Sequence, residues 1–179
     1  MDLETAVQRV CSGDASAFQE VIRATRKQLY RVAARLLGDL EEAEDVLQES
    51  YVRAYNELGL GRFKARSTTQ TWLYRIVINC SLDWLRARRR REARYEVPVS
   101  IERHNSQLEA RMALRELSSW LADLPLRQRT AVVLKELEGL SIQEISQLMD
   151  CTVGAVEQYI VRARAALRAR REDEENGTI

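Results

Sequence analysis

Over residues 71–94 the sequence TWLYRIVINCSLDWLRARRRREAR starts as an aromatic and aliphatic helix. It ends in six arginines, Arg86, Arg88, Arg89, Arg90, Arg91 and Arg94, diluted only by Ala87, Glu92 and Ala93. A packing face at one end and a dense guanidinium cluster at the other suit a polyanion, so these residues point first to nucleic acid. A solvated, charged helix end would share the pattern. On this helix Leu73, Ile76, Val77, Cys80 and Trp84 fall on one side, and Arg75, Asn79, Leu82, Arg86 and Arg90 on roughly the other. An exposed amide between guanidinium groups can read a base edge while the arginines hold phosphates. The preceding loop, Arg62-Phe63-Lys64-Ala65-Arg66-Ser67-Thr68-Thr69, mixes cations, hydroxyls and an aromatic ring. Single-strand binders receive an unstacked base on such a surface. Phe63 and Trp72 would equally serve as core.

Two further clusters carry chemistry. Asp39, Glu41, Glu42, Glu44, Asp45 and Glu49 crowd the first eleven positions of a segment starting at residue 39, with no base among them. Acids at a helix N-terminus gain about 0.3–1 kcal/mol each from the helix dipole, which accounts for some of them. Six without a cation suggest a surface for a basic protein partner. Near the other end, a helix opening at Thr152 would enter a major groove and leave Ala155, Glu157, Gln158, Val161 and Arg162 near base edges or phosphates. Glutamine can pair with adenine and glutamate can accept from cytosine. Arg127 and Arg129, upstream of that helix, are placed to clamp a DNA backbone.

The elements that must position these residues are helical almost throughout, since strand signals are nearly absent and the 3.6-residue period recurs. A short helix over residues 3–11 gives way to Ser12-Gly13-Asp14, and a long one over 15–37 stops at Gly38. Asp39 and Glu42 fit a capping box for a helix to residue 58, whose buried stripe is Ala43, Leu47, Tyr51, Ala54, Tyr55 and Leu58. Gly59-Leu60-Gly61 breaks it, and a loop over 62–69 precedes the Trp72 helix. Residues 95–104 contain Pro98 and lack a helical period, so they read as a linker. Ser106 and Glu109 cap a helix to residue 124, and Pro125 opens the next, which ends at Gly139. Ser141 and Glu144 cap a short helix, and a tight turn at Asp150-Cys151 leads to the Thr152 helix. Two short helices, a tight turn and a longer basic helix match a helix-turn-helix, although a structural hairpin shares the pattern. The expected fold is all-α: a helical domain over 1–94, a flexible linker over 95–105, a helix-turn-helix domain over 106–171 and a disordered acidic tail over 172–179.

Composition narrows the function classes. The net charge of +1 hides 17 basic against 13 acidic residues in 1–95, and 11 against 14 in 96–179. Of 28 basic residues only Lys27, Lys64 and Lys135 are lysines, and the arginine fork suits phosphate and guanine, though genome composition could bias it alike. Cys11, Cys80 and Cys151 lack CxxC spacing and His104 is the sole histidine, so no metal or other cofactor site and no disulfide framework is expected. With no phosphate-cradling glycine loop either, neither an enzyme nor a small-molecule substrate is expected. The longest apolar runs fall short of a membrane span and no signal peptide opens the chain, so a cytoplasmic protein without membrane insertion is expected.

Taken in order, these motifs resemble the extracytoplasmic-function group of bacterial RNA polymerase sigma factors. AEDVLQESYVRAY (residues 43–55) is similar to the group's polymerase-binding helix, and FKARSTTQTWLYRIVINCSLDWLRARRRR (63–91) to its promoter-melting, minus-ten-reading segment. LPLRQRTAVVLKELEGLSIQEISQLMDCTVGAVEQYIVRARAAL (124–167) is similar to its minus-thirty-five-binding domain. The resemblance covers residues 7–170 and implies core RNA polymerase, promoter DNA and an anti-sigma factor as partners. It implies polymerase contacts at Asp45, Gln48 and Glu49. For the minus-ten element it implies contacts at Lys64, Arg66, Ser67, Thr68, Thr69, Arg75, Asn79, Arg86, Arg89 and Arg90. For the minus-thirty-five element it implies contacts at Arg127, Arg129, Thr152, Ala155, Glu157, Gln158 and Arg162. The last helix departs from the group's pattern at Ala155, Glu157, Gln158 and Tyr159, where threonine, a basic residue, serine and arginine are common; Arg162-Ala163-Arg164 is retained. A helix-turn-helix regulator acting at an operator would explain the second domain but would leave the acidic helix and the loop without a role.

Overall fold

Asp2 starts the first helix: its carboxylate accepts the Thr5 N–H at 2.9 Å and the Thr5 hydroxyl at 2.8 Å, and α1 (Leu3–Cys11) follows. The computed structural model describes residues 2–61, 63, 68–95, 119–121 and 123–177. The expected linker and the helix expected from residue 106 lie almost wholly outside them. Asp14 accepts the Ser16 N–H at 3.1 Å and opens a 3₁₀ turn, Ala15–Ala17, before α2 (Phe18–Leu37). The long helix therefore begins with a tighter turn than the sequence pattern predicts. Gly38 ends it at φ 76°, the left-handed region that glycine enters without strain.

Asp39 then accepts the N–H groups of Glu41 and Glu42 at 2.8 and 2.9 Å and opens α3 (Leu40–Gly59). Glu42 does not close the expected capping box; its carboxylate turns to Arg88 at 2.7 Å. The next helix, α4 (Thr69–Tyr95), starts three residues before Trp72. The cause is Thr68, whose hydroxyl accepts the Thr71 N–H at 3.2 Å as an N-cap does.

These helices form the first domain. α2, α3 and α4 pack pairwise and α1 lies mainly against α2 and α3. Val21, Leu29, Val32, Leu36, Leu47, Leu58, Leu73, Ile78 and Leu85 are fully buried among them, each worth about 1.5–3 kcal/mol of transfer from water. Inside this core the Thr25 hydroxyl donates to the Val21 carbonyl at 2.7 Å and lies 2.8 Å from the Tyr51 hydroxyl, tying α2 to α3. Burial pushes the Tyr51 hydroxyl pKa upward. Tyr55, expected beside Tyr51 in the stripe, is 40% exposed. One residue further round the helix than Ala54, it leaves the core edge and meets Phe18 with ring centroids 5.2 Å apart.

The second domain comprises α5 (Leu126–Val132), α6 (Ile142–Met149) and α7 (Val153–Asn176). α5 widens into a π-helical segment, Val133–Leu137, before Gly139 turns the chain at φ 71°. α5 and α6 both pack on α7, around Leu134, Ile145, Val156 and Ala163. The acidic tail differs from expectation. α7 continues through it to Asn176, and Arg171 pairs with Glu175 at 3.4 Å, one helical turn on.

Candidate functional site

The acidic crowd on α3 is largely neutralised by folding. Asp39 caps the helix, Glu42 pairs with Arg88, Glu44 with Arg26 at 2.7 Å, and Glu49 with Arg53 at 3.0 Å. The sequence pattern shows six acids without a cation because these arginines come from α2, α4 and a later turn of α3. Asp45, Gln48 and Glu49 all stand exposed on one stripe. Among the described residues Asp45 and Gln48 have no side-chain partner, and the open Glu49–Arg53 pair is worth only about 0.3–0.5 kcal/mol. The same stripe continues with Val52, 62% exposed, which helical period places on this outer face although its apolar side chain alone would suggest core.

The arginine-bearing helix α4 presents Asn79 to solvent while Leu73, Ile76, Val77 and Cys80 are buried, as their spacing predicts. Tyr74, Ile78 and Leu85 are buried too, so the helix is enclosed over more of its circumference than an amphipathic pattern suggests. Arg86, Arg89 and Arg90 are exposed, Arg86 with Asp83 at 2.8 Å. In the preceding loop Lys64, Arg66 and Ser67 lie outside the described residues. Thr68 is exposed and caps α4. Thr69 is only 3% exposed and its backbone N–H donates to Glu4 at 3.2 Å, so its side chain is packing rather than a base contact in this arrangement. Phe63 and Trp72 form an edge-to-face pair with centroids 4.8 Å apart, and the Trp72 indole N–H donates to Glu57 at 3.3 Å. Of the two roles open to these rings, packing is the one the geometry supports.

The second domain builds its helix-turn-helix from reciprocal caps. Ser141 and Glu144 close a capping box on α6, and these hydrogen bonds, led by the Ser141 hydroxyl, hold the Glu144 carboxyl below its ordinary pKa. Asp150 takes φ 49° to end α6, and the Thr152 hydroxyl accepts the Ala155 N–H at 3.2 Å to open α7. Thr152, Glu157, Gln158 and Arg162 are exposed on α7, with Ala155 half-buried among them. Arg127 is exposed as well.

Arg129 departs from expectation. It is 4% exposed, its Nε donating to the Leu121 carbonyl at 2.8 Å and its Nη1 to the Leu36 carbonyl at 3.2 Å. Burial, then the nearby charges of Arg89 and Arg88, lower its pKa to about 10. It is still a cation at neutral pH, but here it joins the domains rather than facing DNA.

That bond belongs to a domain junction. Arg31 and Arg35, one turn apart on α2, hold Glu138, whose side chain is fully buried; Arg31 lies 2.9 Å from it. Arg35 also donates to the Leu137 carbonyl at 2.7 Å, at the end of the π-helical segment. Arg75, a candidate DNA contact, donates to the Gln147 carbonyl of α6 at 2.7 Å. Sequence spacing shows Arg31 and Arg35 on one helix face but says nothing of a partner 107 and 103 residues away. Among the described residues no cluster of three or more His, Cys, Asp or Glu could hold a metal, and no helix is long and apolar enough to cross a membrane.

Comparison with known proteins follows this division of the chain. The Sigma-70 region 2 family model matches residues 21–91, and the Sigma-70, region 4 model matches residues 114–167. The chain is 34% identical over 177 residues to the RNA polymerase sigma-H factor of Pseudomonas aeruginosa, spanning 90% of this chain and 89% of that protein. It is 30% identical over 189 residues to the ECF RNA polymerase sigma factor SigW of Bacillus subtilis, spanning 97% and 98%. Among solved structures, CnrH in complex with the cytosolic domain of CnrY superposes with a TM-score of 0.71 at 26% identity, over 96% of this chain and 98% of that one.

Proposed function

The chain belongs to the extracytoplasmic-function group of RNA polymerase sigma factors, and on that ground we propose how its surfaces divide the work of transcription initiation. It is an alternative sigma factor. The first domain docks on core polymerase through the exposed stripe Asp45, Gln48 and Glu49 of α3, a negative surface for a basic partner helix. Asn79 of α4 reads a base edge of the minus-ten element, with Arg86, Arg89 and Arg90 on the flanking phosphates. The residues before α4, from Lys64, take up a base extruded from the duplex, whose unstacking costs a few kcal/mol that these contacts offset. The exposed face of α7 enters the major groove at the minus-thirty-five element. The polymerase supplies the chemistry, so this chain needs no catalytic group, and its place of work is the cytoplasm.

The observation that carries this division is the contrast around Asp45 and Asn79. Their charged neighbours Glu42, Glu44 and Arg86 form ion pairs, while these two are exposed with no side-chain partner among the described residues. An anti-sigma factor would act by covering the α3 stripe and the second domain; CnrH, solved with the cytosolic domain of CnrY, supports a protein partner of that kind. A regulator working alone at an operator needs only the second domain and leaves the region 2 match without a role.

Co-purification with core polymerase followed by run-off transcription tests this. A stable complex and core-dependent transcripts from particular promoters are expected. A chain that neither binds core nor starts a promoter-specific transcript would overturn it.

A further inference from the structure

The first helix, α1, carries none of the proposed polymerase or DNA contacts, and the region 2 match begins only at residue 21. It nevertheless reaches the start of the DNA-reading helix. The carboxylate of Glu4, in the first turn of α1, accepts the backbone N–H of Thr69 at 3.2 Å, 65 residues along the chain. Thr69 is the first residue of α4, and the N–H groups of a helix's first turn have no partner within that helix. Thr68 answers one of them, accepting the Thr71 N–H at 3.2 Å. Glu4 answers another from a different helix.

The sequence of α4 explains why that acceptor comes from elsewhere. Its first turn, Thr69-Gln70-Thr71-Trp72, holds no acid, although the helix dipole favours one there. A carboxylate on the segment that receives DNA would repel the phosphates flanking the base. Glu4 supplies the charge from α1, which is anchored in the core by Ala6, Val7 and Val10. Two other helices hold the same turn. The Gln70 amide donates to Gln28 of α2 at 2.8 Å, and the Trp72 indole to Glu57 of α3 at 3.3 Å. Of these three contacts only that of Glu4 takes a backbone N–H. It therefore fixes the main chain where the base-receiving residues pass into helix.

We propose that Glu4 is a positioning residue for base capture: by holding the Thr69 N–H it sets the main chain at Thr68 and Thr69 for the extruded minus-ten base. The inference rests on the proposed function for that base, which Glu4 itself does not touch. Groups already in place bind more tightly than groups that must be ordered on contact. Loss of Glu4 therefore weakens capture and spares polymerase docking, which lies on the α3 stripe.

The test uses the holoenzyme assembled with core polymerase, on a promoter located by mapping its own run-off transcripts. Fluorescence anisotropy measures binding of the labelled non-template strand of the minus-ten element, intact or with one base at a time removed. In the wild type, the captured base is the one whose removal weakens binding most. Glu4→Ala should weaken binding of the intact strand about fivefold, the order of one hydrogen bond's net contribution, and should make no difference once that base is absent. Glu4→Gln keeps an acceptor oxygen and should bind like the wild type, and all variants should bind core equally. A merely structural role would lower binding to both strands alike, and that result would overturn the proposal. So would a Gln variant as weak as the Ala variant, or Glu4→Ala equal to the wild type on the intact strand. If Glu4→Ala loses helicity by circular dichroism, Thr69→Pro takes its place. Proline suits the first helical position and lacks the N–H that Glu4 holds, so the same base-dependent loss is expected. An equal loss on both strands would count against the proposal. A wild-type holoenzyme without any promoter-specific transcript is a separate outcome, which removes the functional reading and this inference with it.

Discussion

At the scale of single residues, exposure and pairing separate side chains of the same chemical type. Asp45 and Glu44 are adjacent acids on α3, but Glu44 is held by Arg26 and Asp45 faces solvent. Asp45→Arg with Glu49→Arg should therefore weaken core binding by about tenfold or more, as reversed charges at a complementary interface do, with helicity unchanged. Competition binding against the wild type measures it, and equal affinity would remove α3 from the docking surface. Asn79→Ala should leave core binding intact and reduce initiation on duplex promoters by about tenfold, within the 1–3 kcal/mol that a good base contact contributes. Normal transcript levels from that variant would exclude Asn79 as a reader. The sequence made both residues visible, since their faces follow from helical period. It could not show that Thr69 and Arg129 are buried, because the Glu4 and Leu36 atoms that engage them are remote in sequence.

At the scale of elements, local chemistry decides where helices begin and end. Ser141 and Glu144 are three residues apart, so their capping box was legible in the sequence and stands in the structure. Ser141→Ala should destabilise the second domain by about 1 kcal/mol in denaturant melts at neutral pH. The Glu144 carboxyl, held below its ordinary value of 4.5, contributes fully above that pH and loses its contribution as acid protonates it in the folded state. The difference between variant and wild type should accordingly shrink in acid, and a difference independent of pH would mean the carboxylate adds nothing. Where expectation missed, the reason was also local: Thr68 starts α4 early, and helix continues through residues 172–176 rather than ending before the acidic tail.

At the scale of the whole molecule, the junction brings side chains together that no local rule connects. Tyr74, on α4, is 3% exposed, and burial followed by the charge of Glu138 pushes its hydroxyl up to about 12 from the ordinary 10. A raised value means that the unfolded phenol ionises first. The stability held below pH 10 is therefore lost as pH rises through 12, by about 2–3 kcal/mol. Chemical denaturation across that range should show the loss in the wild type and a smaller one in Tyr74→Phe. Identical slopes would mean that Tyr74 does not carry it.

By itself the sequence determined an all-helical chain, most helix limits within a few residues, the ordered motifs that placed it in its family, and the faces that carry Asp45 and Asn79. These follow from contacts within one or two helical turns, where side-chain spacing and caps govern the outcome. Only the tertiary structure decided which charges stay free. Arg26 and Arg88 quiet the acids of α3, Leu36 takes Arg129, and Glu138 closes one domain on the other. Partners so distant along the chain meet only after the helices have packed, and no period in the sequence encodes their distance.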